Sequence, residues 1–410
     1  MRIVSMIMTL LALGMLTAPK ANAQYWDPGK GCVIDKAGGD CIPNALLTAV
    51  PFLRITPDAR GGGMGDAGLA TSPDANSIHY NASKLAFADQ PMAFSASLSP
   101  WLRNLGLQDI YLFYMSGYYR FDDLQTVGLA IRYFSLGEIN FTDDNGTPTG
   151  SGMPNEFEIA GTYARKFGTN FSASLTAKYI YSNLAADQVV AGNEISAASA
   201  FAADLGFTYR KEIDNGKRGG EDNLLTIGVA LTNIGSKISY IKDVYSDFLP
   251  ANFGLGAAYT MNFDEYNTLT VTGEINKLMV PSPIPRDDPE YDTNGNDIPD
   301  AREKGIFEGI FGSFGDAAGG FTEELQELMY TVGLEYWYDD QFAVRFGYFG
   351  ENVLKGNRQY LTMGVGIKYN IFGMDLSYLV PTNNQQSPLA NTLRFTFHFD
   401  MRAFQADEQQ

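Results

Sequence analysis

The sequence predicts an all-β protein, a transmembrane antiparallel β-barrel of about fourteen strands in an outer membrane. Three observations predict this fold. Apolar and polar residues alternate with period two in segments of about ten residues, aromatic residues recur at the segment ends, and short and long connections alternate along the chain. Together these features are typical of a barrel whose outer face contacts lipid.

The composition disfavours several classes of protein. The chain has 410 residues, of which 29 are basic and 47 acidic, so its formal charge is −18. This balance leaves no basic surface for nucleic-acid phosphates. Two cysteines and two histidines are too few for a four-thiolate zinc site, and a transition-metal centre would need mostly carboxylates. Nucleic-acid binding and metal catalysis are therefore poor hypotheses for this chain.

Residues 1–23 have the pattern of a secretory signal peptide. Arg2 is followed by an apolar stretch from Ile3 to Leu16 and by the small-x-small site Ala21-Asn22-Ala23. The stretch is too short to span a bilayer of about 30 Å as a helix, and no run of about 18 apolar residues follows it. We therefore expect an exported protein that is cleaved after Ala23.

Residues 24–90 do not share the alternation, and we expect them to form a periplasmic N-terminal extension followed by a plug inside the barrel. They contain Cys32 and Cys41, with eight residues between them. Because exported proteins fold in an oxidising compartment, a Cys32–Cys41 disulfide is predicted. Closing so short a loop contributes on the order of 2–3 kcal/mol to local order.

The plug region also contains Gly63-x-Gly65-x-x-Gly68, which matches a dinucleotide-binding fingerprint. That fingerprint requires a preceding strand, a following helix and an acidic residue about twenty residues further on. An exported β-protein supplies none of this context. We interpret the glycines as small residues that let the plug pass through a crowded lumen.

Residues 91–402 are predicted to form the barrel. The clearest strand is Phe171–Tyr181, where an apolar face with aromatic residues alternates with a mostly polar face. A soluble β-sandwich also alternates, but here the second face has charges and glycines in strand after strand, which suits a wet or plugged lumen. The predicted strands, fourteen in number, are 92–99, 109–120, 125–138, 155–166, 171–182, 200–211, 223–235, 251–262, 268–277, 328–338, 342–351, 359–370, 374–381 and 390–400.

The connections between these strands predict the topology. The short ones are Phe121–Leu124, Phe167–Asn170, Phe263–Asn267, Asp339–Gln341 and Ile371–Gly373, and the connections between them are mostly long. In bacterial outer-membrane barrels, short turns lie in the periplasm and long loops lie outside. We therefore expect a Gram-negative outer-membrane protein with long loops at the cell surface, both termini in the periplasm and a periplasmic tail at 403–410.

One long connection contains a candidate calcium loop. In a twelve-residue loop that starts at Asp292, oxygen ligands fall at positions 1, 3, 5, 9 and 12, and a backbone carbonyl falls at position 7. The candidate ligands are Asp292, Asn294, Asn296, Ile298, Asp300 and Glu303. Position 6 is normally glycine but is Asp297 here, which adopts the left-handed conformation at some cost. A solvated acidic loop is the alternative to Ca²⁺ binding.

The same connection continues with an apolar stripe at helical spacing. It consists of Ile306, Phe307, Ile310, Phe311 and Phe314. On a surface loop, such a stripe is a candidate site for binding a partner or the membrane interface. The alternative is that the stripe covers the mouth of its own barrel.

The enzyme class is a further alternative, because some outer-membrane barrels are hydrolases or modify lipids. His398 is expected to face the lumen and His79 lies in the plug. Nothing in the sequence brings either histidine together with a serine and an acid, as a catalytic triad would require. We therefore predict a protein without catalytic residues.

The stretch from Arg54 to Ser83, which includes Gly61-Gly-Gly-Met-Gly-Asp-Ala67, resembles the N-terminal signature of the PorV family. These are FadL-like outer-membrane proteins of the type IX secretion system of Bacteroidetes. The segment Asp27–Asp35, the strand end Leu231–Gly235 and the terminal aromatic strand fit the family as well. The resemblance therefore extends over nearly the whole mature chain, although the Gly-Met-Gly-Asp-Ala pattern alone occurs in several FadL-like barrels.

The resemblance implies a function that the composition does not indicate. PorV-like barrels receive folded cargo at the type IX translocon barrel by the C-terminal signal domain of that cargo. They carry it to the cell-surface attachment complex, whose sortase-like subunit PorU removes the signal. The resemblance thus implies a cargo shuttle with these partners, surrounded by outer-membrane lipid. A FadL-type transporter of hydrophobic small molecules is the alternative, since the fold is shared.

Overall fold

The computed structural model describes residues 45–102, 107, 109–142, 147, 150–185, 195–214, 216, 222–241, 245–283, 291–296, 298–317, 320–383 and 392–401. It describes the backbone alone at 25–27, 32–34, 41–42, 148–149, 188–190 and 193–194. The predicted signal peptide at 1–23 and the predicted tail at 403–410 lie outside the described residues.

Fourteen antiparallel strands close into one barrel, in which each strand pairs with the next and the last pairs with the first. The strands are β1 (Met92–Pro100), β2 (Ile110–Arg120), β3 (Gln125–Leu136), β4 (Asn155–Lys166), β5 (Phe171–Asn183), β6 (Ala198–Ile213), β7 (Asn223–Gly235), β8 (Asn252–Asn262), β9 (Asn267–Leu278), β10 (Leu328–Tyr338), β11 (Phe342–Gly350), β12 (Gln359–Tyr369), β13 (Phe372–Pro381) and β14 (Leu393–Asp400). The predicted fold class and strand number are confirmed, and closure leaves the barrel without an unpaired sheet edge.

The period-two alternation of the strands separates an apolar outer face from a polar inner face. In β5, Phe171 and Leu175 are exposed on the outside, whereas Ser172 and Thr176 are buried inside. The same division recurs around the barrel, so a belt of apolar side chains covers its outer surface. This is the surface that a barrel needs when lipid surrounds it. In the described ranges, no helix is long and apolar enough to cross a membrane.

The two ends of the barrel differ in their connections. At the short-turn end, the strands are joined by 121–124, 167–170, 214–222, 263–266, 339–341 and 370–371. At the long-connection end, they are joined by 101–109, 137–154, 184–197, 236–251, 279–327, 351–358 and 382–392. The tightest turns place Asp339, Asp340 and Asn370 at φ values of 54°, 51° and 54°. Asp and Asn tolerate this left-handed conformation, which tight hairpins require.

Residues 45–91 form a plug that fills the lumen. The plug contains two short α-helices, α1 (Ala59–Gly63) and α2 (Ser77–Tyr80), and the 3₁₀-helices Pro51–Arg54 and Ala82–Phe87. It starts at the long-connection end, where the Ala49 amide donates to the Phe248 carbonyl at 3.0 Å. It finishes at the short-turn end, where the Arg120 guanidinium donates to the Ala88 carbonyl at 2.7 Å. The plug therefore runs the whole length of the barrel.

This path differs from the expectation that the N-terminal extension starts on the periplasmic side, at the short-turn end. Residues 45–55 lie at the opposite end, because Val50, Phe52 and Leu53 pack against apolar strand ends there, such as Ile110 and Phe134. The sequence could not indicate this position, since the strands have apolar residues near both of their ends. The direction in which the plug runs is thus a finding of the structure.

The backbone before the plug forms a small three-stranded antiparallel sheet from Tyr25–Asp27, Cys32–Ile34 and Cys41–Ile42. In its register, Cys41 lies opposite Ile34 and Cys32 lies opposite Asp27. The two cysteines are therefore on neighbouring strands. Their side chains lie outside the described residues, so the Cys32–Cys41 disulfide stays a prediction.

The longest connection, 279–327, contains three further helices, which are α3 (Asp300–Glu303), α4 (Ile306–Gly312) and α5 (Phe321–Gln326). Two other long connections contain hairpins. One pairs Ile139–Thr142 with Pro148–Gly152, and the other pairs Gln188–Val190 with Asn193–Ile195. The long-connection end is thus built from folded segments, in contrast to the simple turns of the other end.

Candidate functional site: the plugged lumen and the long-connection end

The glycines of the plug motif permit close contact between the plug and its surroundings. A Cβ atom on Gly68 would lie 2.2 Å from the Tyr80 ring, and one on Gly65 would lie 2.7 Å from the Tyr348 carbonyl oxygen. Gly65 also has a φ of 71°, which favours glycine. Gly63 lies against the backbone of Gly364 in β12. These contacts agree with the interpretation of the motif as a packing device.

The inner wall of the barrel supplies hydrogen bonds for the irregular backbone of the plug. Such bonds are needed because a buried peptide group without a partner is costly. The Glu274 carboxylate accepts from the amides of Gly68 and Leu69 at 2.8 and 2.7 Å. Further bonds of 2.8 Å join the Ala59 amide to Thr396, the Gly65 amide to Thr362, and the Ser172 hydroxyl to the Ser83 carbonyl. The polar residues on the inner face therefore bind the plug.

An inner cluster of charges joins the plug to four strands and consists of Arg60, Glu335, Arg345, Asp375 and His398. Arg60 in α1 donates to both oxygens of Glu335, at 2.9 and 2.7 Å. Arg345 donates to Glu335 at 2.6 Å and to Asp375 at 2.7 Å. His398 Nδ1 lies 3.4 Å from Asp375. Glu335 thus bridges two buried guanidinium groups, one from the plug and one from the wall.

A second buried group lies on another side of the lumen, where Arg132 contacts the start of the plug. Arg132 donates to the carbonyls of Phe52 and Leu53 at 3.2 and 2.8 Å, and its Nη2 lies 2.6 Å from Nδ1 of His79. Glu158 balances its charge at 3.5 Å. Each histidine therefore takes part in a contact inside the plugged lumen. Neither contact includes a serine, so the enzyme alternative gains no support from them.

A cavity of about 130 Å³ lies between the plug and the wall near the long-connection end. Pockets for drug-sized ligands measure roughly 300–1,000 Å³, so this cavity is small by comparison. Its lining combines charged residues, such as Arg54 and Arg358, with apolar ones, such as Leu69 and Phe349. Its size therefore suits water or a small molecule better than a long hydrocarbon chain.

An outer cluster of charges fixes the long connection to the barrel and consists of Lys277, Glu323, Glu324, Glu327 and Lys355. Glu327, which follows α5, accepts bonds from Lys277 and Lys355, the latter at 2.9 Å. Lys277 also pairs with Glu324 at 2.9 Å, and Lys355 pairs with Glu323 at 2.7 Å. Burial alone would raise the pKa of Glu327, but hydrogen bonds from Lys277, Ser282 and Lys355 outweigh it and lower the pKa. The cluster holds 279–327 and 351–358 together.

The candidate calcium loop is closed by bonds among its own side chains. The side-chain amides of Asn294 and Asn296 donate to the two carboxylate oxygens of Glu303 at 2.6 and 2.7 Å. The Asp292 carboxylate accepts from the backbone amide of Gly295 at 2.7 Å. Asp300 accepts from Thr293, and Asp297 lies outside the described residues. In the part of the chain that the structure describes, no three His, Cys, Asp or Glu side chains form a metal-binding group. Ca²⁺ also binds amide and carbonyl oxygens, so Ca²⁺ binding by this loop stays a prediction.

The apolar stripe divides between two environments. Ile306 and Ile310 pack against Ala251 and Met279, and Ile310 is only 2% exposed. The three phenylalanines of the stripe point away from this contact. Phe307, Phe311 and Phe314 are 68%, 64% and 49% exposed. One face of the stripe therefore packs on the protein itself and the other is free to contact something else, so binding of a partner or of the membrane interface stays a prediction.

The sequence alone does not identify the residues that join the plug, the wall and the connections. Arg60, Glu335 and Arg345 had only one signal in the sequence, which was a charge in the plug or on the lumen-facing side of a strand. Lys277 gave a misleading signal, because it lies in register with the apolar outer face of β9. Pairing across strands depends on register, which a single sequence does not determine.

Comparisons with known proteins give a family match and several structural neighbours. A family model described as type IX secretion system protein PorV matches residues 39–285, more than half of the chain. No curated protein matches the chain.

Similar solved structures include three outer-membrane proteins of low sequence identity. The toluene transporter TodX of Pseudomonas putida is 10% identical, with 82% of this chain and 95% of that chain covered and a TM-score of 0.46. The toluene transporter TbuX of Ralstonia pickettii is 11% identical, with 84% and 98% covered and a TM-score of 0.47. A FadL homologue of Pseudomonas aeruginosa is 10% identical, with 88% and 100% covered and a TM-score of 0.44.

Proposed function

Because the chain belongs to the PorV family of type IX secretion system proteins, we propose that it is an outer-membrane cargo carrier of that system. It receives the C-terminal signal domain of secreted proteins at the type IX translocon barrel. It then carries the cargo to the attachment complex that contains the sortase-like subunit PorU. The proposal rests on the family match over residues 39–285, a range that includes the plug and strands β1 to β9.

The plugged lumen supports a carrier that binds its cargo on the outside. Residues 45–91 fill the barrel from end to end, and the inner cluster ties them to the wall. A folded signal domain has no path through such a lumen. The binding surface is therefore sought at the long-connection end, where the outer cluster fixes two connections against each other. Tyr245 and Leu354 are exposed apolar residues there, which makes them candidates for contact with the signal domain.

The orientation in the membrane is part of the proposal. We place the long-connection end at the cell surface, as the rule for bacterial outer-membrane barrels requires. Since residues 45–55 lie at that end, the N-terminal extension then leaves the barrel on the outside as well. Epitope tags test this directly. A tag inserted after Thr293 should bind antibody on intact cells, whereas a tag after Gly216, at the short-turn end, should bind only after permeabilisation. The reverse pattern would refute the orientation.

A transporter of hydrophobic small molecules, the alternative function, has less support. The cavity beside the plug measures about 130 Å³ and includes two arginines and two carboxylates in its lining. Removing an apolar molecule from water into such a site gains little, because the charged groups lose hydration. Flux assays in liposomes address this alternative, and selective toluene or fatty-acid flux through the purified protein would favour it.

Binding of a cargo signal domain to the purified barrel tests the carrier proposal. The wild-type protein in lipid nanodiscs should be captured by an immobilised signal domain. The Tyr245→Asp, Leu354→Asp double variant should bind at least tenfold more weakly, because a charge replaces each exposed apolar contact. Glu265→Lys, an exposed change in the 263–266 turn, is the matched control and should bind like the wild type. Absence of wild-type binding would count against the proposal.

A further inference from the structure

Helix α4 and the turn that follows it present an exposed aromatic row made of Phe307, Phe311 and Phe314. Phe307 and Phe311 are at i and i+4, so they lie on one face of the helix, and Phe314 follows in the turn. The rings of Phe307 and Phe311 stack with their centroids 6.5 Å apart. The opposite face is buried through Ile306 and Ile310. In the described part of the chain, the buried face already accounts for the packing of α4 on the barrel, and the aromatic row is left uncovered.

The position of the row relates it to the outer surface of the barrel. The Phe314 ring meets the Phe253 ring edge-on, with centroids 6.2 Å apart and an interplanar angle of 75°. Phe253 lies two residues before the exposed Leu255 in β8, so both point outward. Leu231, the partner of Phe253 in β7, packs against the same buried core. Helix α4 therefore lies against the outside of the wall near the long-connection end, and not over the lumen.

Lys277 gives a second, independent sign that the 279–327 connection covers the outer wall. Lys277 lies on the same face of β9 as the exposed residues Val271 and Ile275. It also pairs with the outward-facing Phe253 of β8, so it points toward the lipid side. A lysine on the lipid face of a barrel is destabilising. Lys277 is nevertheless 3% exposed, because Glu324 and Glu327 cover it with opposite charge. The connection thus occupies a strip of the outer wall that lipid would otherwise contact.

We propose that the exposed aromatic row is embedded in the interfacial region of the outer leaflet, where it anchors the 279–327 connection to the lipid surface. The row continues the lipid-facing surface without a break, because Phe314 contacts Phe253. Aromatic rings are the side chains that membrane proteins concentrate at this depth. The connection would then lie partly flat on the membrane beside β7 to β9. This proposal does not depend on the cargo-carrier function.

Tryptophan fluorescence in brominated lipid tests the proposal. Phe307→Trp and Phe311→Trp variants are reconstituted into phosphatidylcholine vesicles with or without bromine on the acyl chains, and the wild-type signal of the three native tryptophans is subtracted. Bromine quenches tryptophan only at short range. We expect at least a twofold loss of the added emission for both variants, comparable to Val332→Trp on the exposed outer face of β10.

Leu354→Trp in the 351–358 connection serves as the water-facing control and should lose little emission. Because phenylalanine and tryptophan are both large apolar rings on an exposed face, the variants should fold, and the heat-dependent shift of the barrel on gels checks this. Emission at 307 and 311 that matches the Leu354→Trp control would overturn the proposal. The row would then be free to contact a protein partner in water.

Discussion

The inner and outer clusters each contain five charged or titratable groups, yet they hold different parts of the protein in different ways. In the inner cluster, two arginines share Glu335, and planar guanidinium groups fix the geometry of the bonds they donate. In the outer cluster, two lysines share Glu327, and each lysine is a compact charge on a flexible chain. The inner cluster joins the plug to four strands of the wall, whereas the outer cluster joins β9 to the connections 279–327 and 351–358. We therefore expect the plug to stay in place under conditions that release the outer segment, which is the connection 279–327.

The largest effect is expected from Glu335→Ala, which leaves Arg60 and Arg345 buried without their shared carboxylate. Breaking a buried ion pair by removing one partner costs about 3–5 kcal/mol. We expect a loss of this size in the free energy of unfolding, measured by urea unfolding in lipid vesicles. Glu265→Ala, in an exposed turn, should change it by less than about 0.5 kcal/mol. A loss below about 1 kcal/mol in the Glu335 variant would show that water or other groups of the plug accept the hydrogen bonds of the two arginines.

Glu327→Ala should have a smaller and more local effect. The variant leaves Lys277 and Lys355 without one acceptor, which costs about 1–3 kcal/mol, but each lysine keeps a second carboxylate, Glu324 or Glu323. We therefore expect trypsin to cleave after Arg302 or Lys304 faster than in the wild type, while the urea midpoint of the barrel moves less than in Glu335→Ala. Thr322→Ala in α5 is the control from the same connection, because that side chain is exposed. Equal cleavage rates in all three proteins would contradict a holding role for the outer cluster.

The same contrast explains which parts of this protein could be predicted from its sequence. Strand β5 was expected at 171–182 and lies at Phe171–Asn183, because alternation and its flanking turns are local signals. The plug was expected as well, since its glycines break the alternation. The two clusters cannot be predicted in this way, because Glu335 and Arg345 meet only through the register of β10 and β11. The burial of Lys277 could not be predicted either, because it depends on the connection 279–327, which packs over the outer face of β9.

Acid should release the outer segment. The pKa of Glu327 is lowered in the folded protein, because its hydrogen bonds outweigh the effect of burial. Its stabilising contribution is therefore complete above the unfolded pKa of about 4.3 and is lost as the pH falls through the lower folded value. Hydrogen exchange of α4 and α5, corrected for intrinsic rates, should accelerate below about pH 4. Glu327→Gln should show fast exchange already at neutral pH, and acceleration that begins above pH 5 would point to another group.

The smallest effect is expected from Ca²⁺ binding, which would oppose the release of the connection 279–327. In the loop 292–303, the amides of Asn294 and Asn296 donate to Glu303, so both amide oxygens point away from it. Rotating each amide by a half-turn would direct their oxygens, with those of Asp292 and Glu303, toward one point, but it would break the bonds that these oxygens accept from the backbone amides of Asn296 and Ile298. Because aspartate occupies the sixth position, we expect a dissociation constant of about 10⁻⁴–10⁻³ M. At ten times that concentration, Ca²⁺ would stabilise the segment by about 1.4 kcal/mol and slow its hydrogen exchange. Calorimetric titration provides the check, with Glu303→Gln as the control. The absence of heat at millimolar Ca²⁺ would identify the loop as an acidic, solvated turn held by its own amides.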